Sequence, residues 1–153
     1  MNWIYFYDAV GPYGNLSNSS PHPLLLEGRF WVTVEHYFQA QKFTDPQHQE
    51  TIRNAVSPVS AGRLARKLAD AVRADWEEVM EKVMREGLMA KFTQHHDLRR
   101  FLLSTGTLML IAHTESDWYW GDGGDGSGLN RLGFMLMEVR ESLKSESALN
   151  VFQ

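Results

Sequence analysis

Three side chains in VEHYFQAQKF (residues 34–43) have the types and spacing of a reactive face. On a helix, Glu35, Gln39 and Lys42 fall at i, i+4 and i+7 and share one side. Val34, Tyr37, Phe38 and Gln41 then turn toward the core. Glu35 sits in the first turn, where the helix dipole favours its ionised form, so it suits a base or electrostatic stabiliser better than an acid. The same spacing also fits a solvated Glu–Lys face bridged by a glutamine. The residues alone leave both readings open.

A second stretch, DWYWGDGGDGSGLNRLG (residues 117–133), admits several chemistries. It meets G-x-G-x-x-G at Gly121, Gly123 and Gly126. A dinucleotide site would need a strand before it and a βαβ crossover after it, and too little chain follows. Asp122 and Asp125 would also repel a pyrophosphate. No lysine follows the last glycine as a Walker A loop requires. A calcium loop starting at Asp122 would place Gly124 where a ligand oxygen is needed, and one starting at Asp125 would end on Leu136. A plain helix-entry turn remains, as does one wall of an active site. Trp118 and Trp120 point to the wall, since a simple turn does not need them.

The other chemistry-bearing residues give less. His22, His36, His48, His95, His96 and His113 show no metal-ligand spacing, and no metal site is expected. Arg53, Arg63, Arg66, Lys67 and Arg73 form a basic stretch opposed only by Asp70, which suits a solvated helix face or a phosphate contact. Trp76 reads either as a core anchor or as a platform for a flat ring.

These residues must be positioned by secondary structure, and the sequence predicts a mainly α (α+β) fold. A single compact domain over 1–145 is expected, with a small β portion near the N-terminus and a loose tail over 146–153. WIYFY (3–7) has strand composition, and LLLEGRFWV predicts a hairpin turning at Glu27-Gly28. A helical period runs from Val34 to about Thr44. Asp45-Pro46 and Ser57-Pro58 are cap-and-N1 pairs that start two further helices. Asp75 with Glu78 predicts a helix to about Gln94, with Val79, Met80, Val83, Met84, Leu88 and Phe92 on its buried stripe. LRRFLL predicts a short helix, LMLIAH a strand or buried segment. Leu132, Met135, Leu136, Val139 and Leu143 repeat at helical spacing after the glycine loop.

Composition bounds the function. The chain has 153 residues, a net charge of −4 and no cysteine. Thiol nucleophiles, disulfides and cysteine-ligated metals are thereby excluded. The acidic balance argues against broad binding to a nucleic-acid backbone, though not against a small basic pocket. The start MNWIYFYD lacks a basic leader, and no apolar run approaches a membrane span, so a cytoplasmic location without membrane association is expected.

Taken in order, PYGNLSNSSPHP, EGRFWVTVEHYFQAQKF, SPVSAGRLARK, DWEEVMEKVMREGLMAKF and DWYWGDGGDGSGLNRLGFMLMEVRE resemble the NADAR (YbiA-like) family across almost the whole chain. The resemblance implies a mainly helical domain and N-glycosidase activity. It implies as substrate either a ribosylamino-pyrimidine phosphate of riboflavin biosynthesis or ADP-ribosylated guanine in nucleic acid. It implies roles in catalysis or substrate placement for Glu35, Trp76 and Asp117, and covalent participation by Lys42. Gln39 shares their face as a substrate contact, while Asn18, Trp120, Gly121 and Asn130 would hold ribose or phosphate. No cofactor and no protein partner is implied. This chain departs from relatives at Val34, before the glutamate, and at Asp125 and Leu129 in the loop.

Both substrate types carry ribose C1 on an exocyclic amine, a linkage that can open to an imine. A deprotonated Lys42 can exchange with that imine and expel the base, provided its pKa falls well below about 10.4. Neighbouring aromatics could lower it by desolvation, with ionised Glu35 opposing. Glu35 is then expected to handle a sugar hydroxyl or water, Asp117 to protonate the leaving amine, and Trp76 and Trp120 to stack. The glycine loop and the Glu35–Lys42 face are expected to be two walls of one pocket. The competing chemistry is direct displacement through an oxocarbenium-like state, in which Lys42 only binds. A non-catalytic ADP-ribose or NAD-binding module is the alternative from another class.

Overall fold

A computed structural model describes residues 2–151, with side chains placed through 146. The chain forms two compact units, Pro21–Gln94 and the remainder, Met1–Ser20 with His95–Gln153.

The 21–94 unit begins with the expected hairpin, β2 (Leu24–Leu26) and β3 (Arg29–Trp31), paired antiparallel with Leu24 opposite Trp31. Glu27 and Gly28 both adopt positive φ, 54° and 75°, the twist that a two-residue turn needs to match the strands. Four helices follow: α1 (Val34–Ala40), α2 (Pro46–Arg53), α3 (Pro58–Lys67) and α4 (Trp76–Gln94). Thr33, Asp45 and Ser57 cap the first three through side-chain oxygens that accept backbone N–H groups. α1 and α4 approach closely at Gly87, where a Cβ would lie 3.2 Å from both Val34 and Tyr37 side chains. The α4 stripe divides: Val83, Met84, Leu88 and Phe92 are buried, while Val79 and Met80 are half-buried.

α1 is shorter than its periodicity predicts, ending at Ala40 rather than near Thr44. Its exit tightens into 3-10 geometry, with Lys42 N–H on Gln39 O at 3.3 Å and Phe43 N–H on Ala40 O at 3.2 Å. The cause lies downstream. Asp45 precedes Pro46, is held extended (φ −71°, ψ 117°) and caps α2, so the helical path must break before it.

The second unit pairs β1 (Trp3–Phe6) with β4 (Met109–Ala112) as a parallel two-stranded sheet, Trp3 opposite Met109. The β portion is therefore not confined to the N-terminus, because β1 finds its partner about a hundred residues later, where LMLIAH supplies it. α5 (His96–Ser104) precedes β4, and α6 (Arg131–Val151) packs on it. Leu132, Met135, Leu136, Val139 and Leu143 of α6 are all buried. The sequence places a loose tail from 146, whereas the α6 backbone stays helical through Val151. ESLKSESALNV contains good helix formers and no glycine or proline to stop it. Residues 152–153, and the side chains from 147, lie outside the described residues.

The fold class is thus mainly α with small β elements, as the periodicities indicate. Among the described residues no helix is long and apolar enough to cross a membrane.

Candidate active site

Within the 21–94 unit, Lys42 and Trp76 meet beyond the exit of α1, and Gln39 bonds back to Glu35 in its first turn. Val34, Tyr37, Phe38 and Gln41 are buried on its other sides, as the helical spacing requires. Gln39 Nε2 donates to Glu35 Oε1 at 2.7 Å, so the i,i+4 relation is a hydrogen bond. Because α1 ends at Ala40, Lys42 leaves the helix on the 3-10 turn, and its carbonyl accepts from Arg73 N–H at 2.8 Å. Its side chain lies along aromatic surface, with Nζ 5.9 Å from the ring centroids of both Phe38 and Trp76. Those rings meet edge to face at 5.1 Å, and Trp76 at the first position of α4 is half-buried. It is at once a packing partner and a wall beside the amine.

This environment acts on the lysine. Burial pushes its pKa below the ordinary lysine value. The Glu35 charge opposes that shift, and the Arg66 guanidinium on α3 adds to it. Desolvation by aromatic neighbours therefore dominates, and the free amine, the nucleophilic form, gains population. Lys91 of α4 is also displaced, to about 7 by burial. At 1% exposure it is shielded from a substrate, whereas Lys42 is only half-buried.

His36, between Glu35 and Tyr37, is structural. Its Nε2 faces the Ala55 carbonyl at 3.0 Å, so that nitrogen carries the proton and Nδ1 accepts from the Thr33 hydroxyl at 2.8 Å. Burial lowers its pKa, in keeping with a neutral ring.

In the other unit, Asp117, Trp120, Gly121 and Asn130 belong to one tightly bonded loop. Asp117 Oδ1 accepts the N–H groups of Tyr119 and Trp120 at 3.0 and 2.8 Å, shaping the turn. Asp122, 4% exposed, is the hub. Its carboxylate accepts from Thr114 N–H, Gly124 N–H and His113 Nδ1, at 3.0, 2.8 and 2.7 Å. Its carbonyl accepts from Gly126 and Gly128 N–H. Asn130 holds positive φ (50°), and its amide bridges β4, accepting from Ala112 N–H and donating to Leu110 O. A Cβ on Gly121 would lie 2.6 Å from the Thr114 methyl, so packing alone requires that glycine. Trp120 is half-buried and meets Tyr119 edge to face at 5.0 Å. Asn18 is half-buried beyond the 3-10 turn Gly14–Leu16. The loop amides of residues 123, 124 and 126–130 are thus engaged within the protein.

Phe38 is a core residue, as its spacing predicts, and also flanks Lys42. The sequence does not single out Arg66 among the five cations of its stretch. A signal for the approach of α3 to this face is Gly62, a glycine inside a helical pattern. Among the described residues no cluster of three or more His, Asp or Glu could hold a metal ion.

Comparison with known proteins identifies the family. The NADAR domain model matches residues 5–144, and the chain belongs to that family. It is 50% identical over 143 residues to the N-glycosidase YbiA of Escherichia coli, covering 94% of this chain and 89% of that protein. An N-glycosidase of Nostoc punctiforme is 42% identical over 145 residues, 93% of each chain. A riboflavin biosynthesis protein of Vibrio vulnificus is 41% identical over 98% of this chain, which spans 41% of that longer protein. The NMR structure of E. coli YbiA aligns with TM-score 0.89 at 49% identity, over 96% of this chain and 88% of that one. The protein is accordingly an enzyme, an N-glycosidase.

Proposed function

We propose that the bond cleaved joins ribose C1 to an exocyclic amine, and that Lys42 cleaves it through an imine. One observation carries this reading: the Lys42 ammonium is desolvated against Phe38 and Trp76, which favours the free amine.

The ribosylamine first opens: the ring oxygen leaves C1 and takes a proton from solvent to become a hydroxyl, while the nitrogen lone pair forms a protonated imine. The free Lys42 amine adds to C1. The proton gained by its nitrogen moves to the other nitrogen, and the C1–N bond to the base breaks. The base departs as a neutral amine, leaving C1 joined to Lys42 as a protonated imine. Water adds to C1, the C1–Lys42 bond breaks, and the aldehyde recloses to ribose. Glu35, ionised and oriented by Gln39, accepts the proton from that water. Glu35 passes that proton to the Lys42 nitrogen as the C1–Lys42 bond breaks, and the C1 hydroxyl proton returns to solvent, so Lys42 leaves as the free amine and Glu35 is again ionised.

Both substrate classes implied by the family fit this chemistry, a ribosylamino-pyrimidine phosphate and ADP-ribosylated guanine. Relatives named as N-glycosidases and as a riboflavin biosynthesis protein support the reading. Incubation with each substrate, monitored for release of free base, assigns the substrate. Borohydride added during turnover should fix a ribosyl adduct on Lys42 and not on Lys91. Lys42→Arg, which keeps the charge but forms no imine, should lose the adduct and turnover together. An active enzyme that yields no adduct refutes the imine route and leaves direct displacement.

A further inference from the structure

The basic stretch read from the sequence does not survive as one patch. Arg53 forks onto Glu50 at 2.9 and 2.8 Å, joined there by Arg29. Arg73 forks onto Asp75 at 2.6 and 3.0 Å. These cations are already matched. Arg63, Arg66 and Lys67 on α3 are exposed and have no ion pair among the described residues. Arg63 and Lys67 line a groove of about 350 Å³ against Thr51 and Asn54 of α2.

Arg66 points elsewhere. α3 packs on α1, and Gly62 lies one turn before Arg66 on α3. The position a Gly62 Cβ would take lies 3.7 Å from Arg66 Nη1 and 3.9 Å from Gln39 Nε2. The guanidinium thus stands beside the Glu35–Gln39–Lys42 row, and its charge is felt at Lys42. Gln39 Nε2 gives one hydrogen to Glu35 and keeps a second, and a forked cation beside it, with no carboxylate of its own, can receive a phosphoryl group. The glycine loop is an unsuitable receiver because its amides are engaged internally and its carboxylates are acidic.

We infer that Arg66, with Gln39, seats the phosphoryl group on C5 of the same ribose whose C1 meets Lys42. The inference rests on the proposed ribosylamine reading. Both candidate substrates carry a phosphoryl group there, as a monoester in one and a diphosphate in the other. Arg66 also neutralises that anion, whose charge would otherwise favour the protonated form of the nearby lysine.

Calorimetric binding of ribose 5-phosphate, ADP-ribose and unphosphorylated ribose to the full chain tests this without turnover. Arg66→Ala should weaken ribose 5-phosphate binding by roughly 10- to 100-fold, the loss typical of a charge-assisted hydrogen-bond pair. Ribose itself should be much less affected. Arg66→Lys, which keeps charge without the fork, should fall between, and Arg63→Ala should change nothing. A matched loss for ADP-ribose assigns the seat to both sources, and a loss confined to ribose 5-phosphate assigns it to the monoester. Equal losses for ribose and its phosphate, or no loss on Arg66→Ala, overturn the inference. Failure of borohydride trapping would remove the imine but not phosphate binding. Trapping on Lys42 with unchanged phosphate binding would remove the seat alone.

Discussion

Two helical glycines, Gly62 and Gly133, should respond in opposite directions to the same added methyl group. Gly62 is buried within α3, at helical φ. Its new Cβ would touch only side-chain nitrogens, at 3.7 and 3.9 Å, which is ordinary van der Waals contact. Nothing need move, so Gly62→Ala gains the helix preference of alanine over glycine, about 0.8–1 kcal/mol. For a chain of this size that raises the thermal midpoint by roughly 2–4 °C. The methyl also stands between Arg66 Nη1 and Gln39 Nε2, so ribose 5-phosphate should bind more weakly while stability rises.

Gly133 lies in the first turn of α6, and its Cβ would collide with the Leu110 carbonyl oxygen. The same atom would lie 2.5 Å from both polar atoms of the Asn130 amide. Those are backbone and a doubly hydrogen-bonded side chain, neither free to yield. Separating α6 from β4 and disturbing the Asn130 bridge should cost about 2–4 kcal/mol despite the better helix former. The expected fall in midpoint is roughly 5–15 °C. Calorimetric or circular-dichroism melts of the two variants decide the matter. A destabilised Gly62→Ala, or a Gly133→Ala that melts with the parent, would refute this reading of the close approaches.

Other outcomes follow from the same geometry. Because the free amine is the reactive form, kcat/KM should rise with pH and level off below the range of an ordinary lysine. Phe38→Ala admits water, restores stability to the ammonium and moves that rise to higher pH. A rise left in place by Phe38→Ala would show that burial is not the cause. Asp117→Asn keeps the Oδ1 acceptor for the Tyr119 and Trp120 amides, so the fold should melt normally. Asp117→Ala removes the acceptor as well and should lower the melting midpoint.

Much of this was legible because it depends on neighbours in sequence. Caps at Asp45 and Ser57, the Glu27-Gly28 turn and the stripe of α6 are local patterns, and the chain realises each of them. So was the chemistry-bearing row, since helical spacing alone brings Gln39 onto Glu35. The end of α1 was less legible, because it is set by competition between its own period and the cap at Asp45. The pairing of β1 with β4 was not legible. Partners about a hundred residues apart leave no local trace in a single sequence.

What the sequence determined by itself was the inventory: a glutamate, glutamine and lysine within two turns, no thiol, and a glycine loop carrying two aspartates. Only tertiary structure decided how those groups behave. Lys42 owes its lowered pKa to Trp76, more than thirty residues away, as well as to Phe38. Arg66 is distinguished from its basic neighbours by the helix it packs against rather than by its own type. Desolvation and charge pairing depend on which surfaces are brought together through space, and that information is absent from the order of residues along one helix.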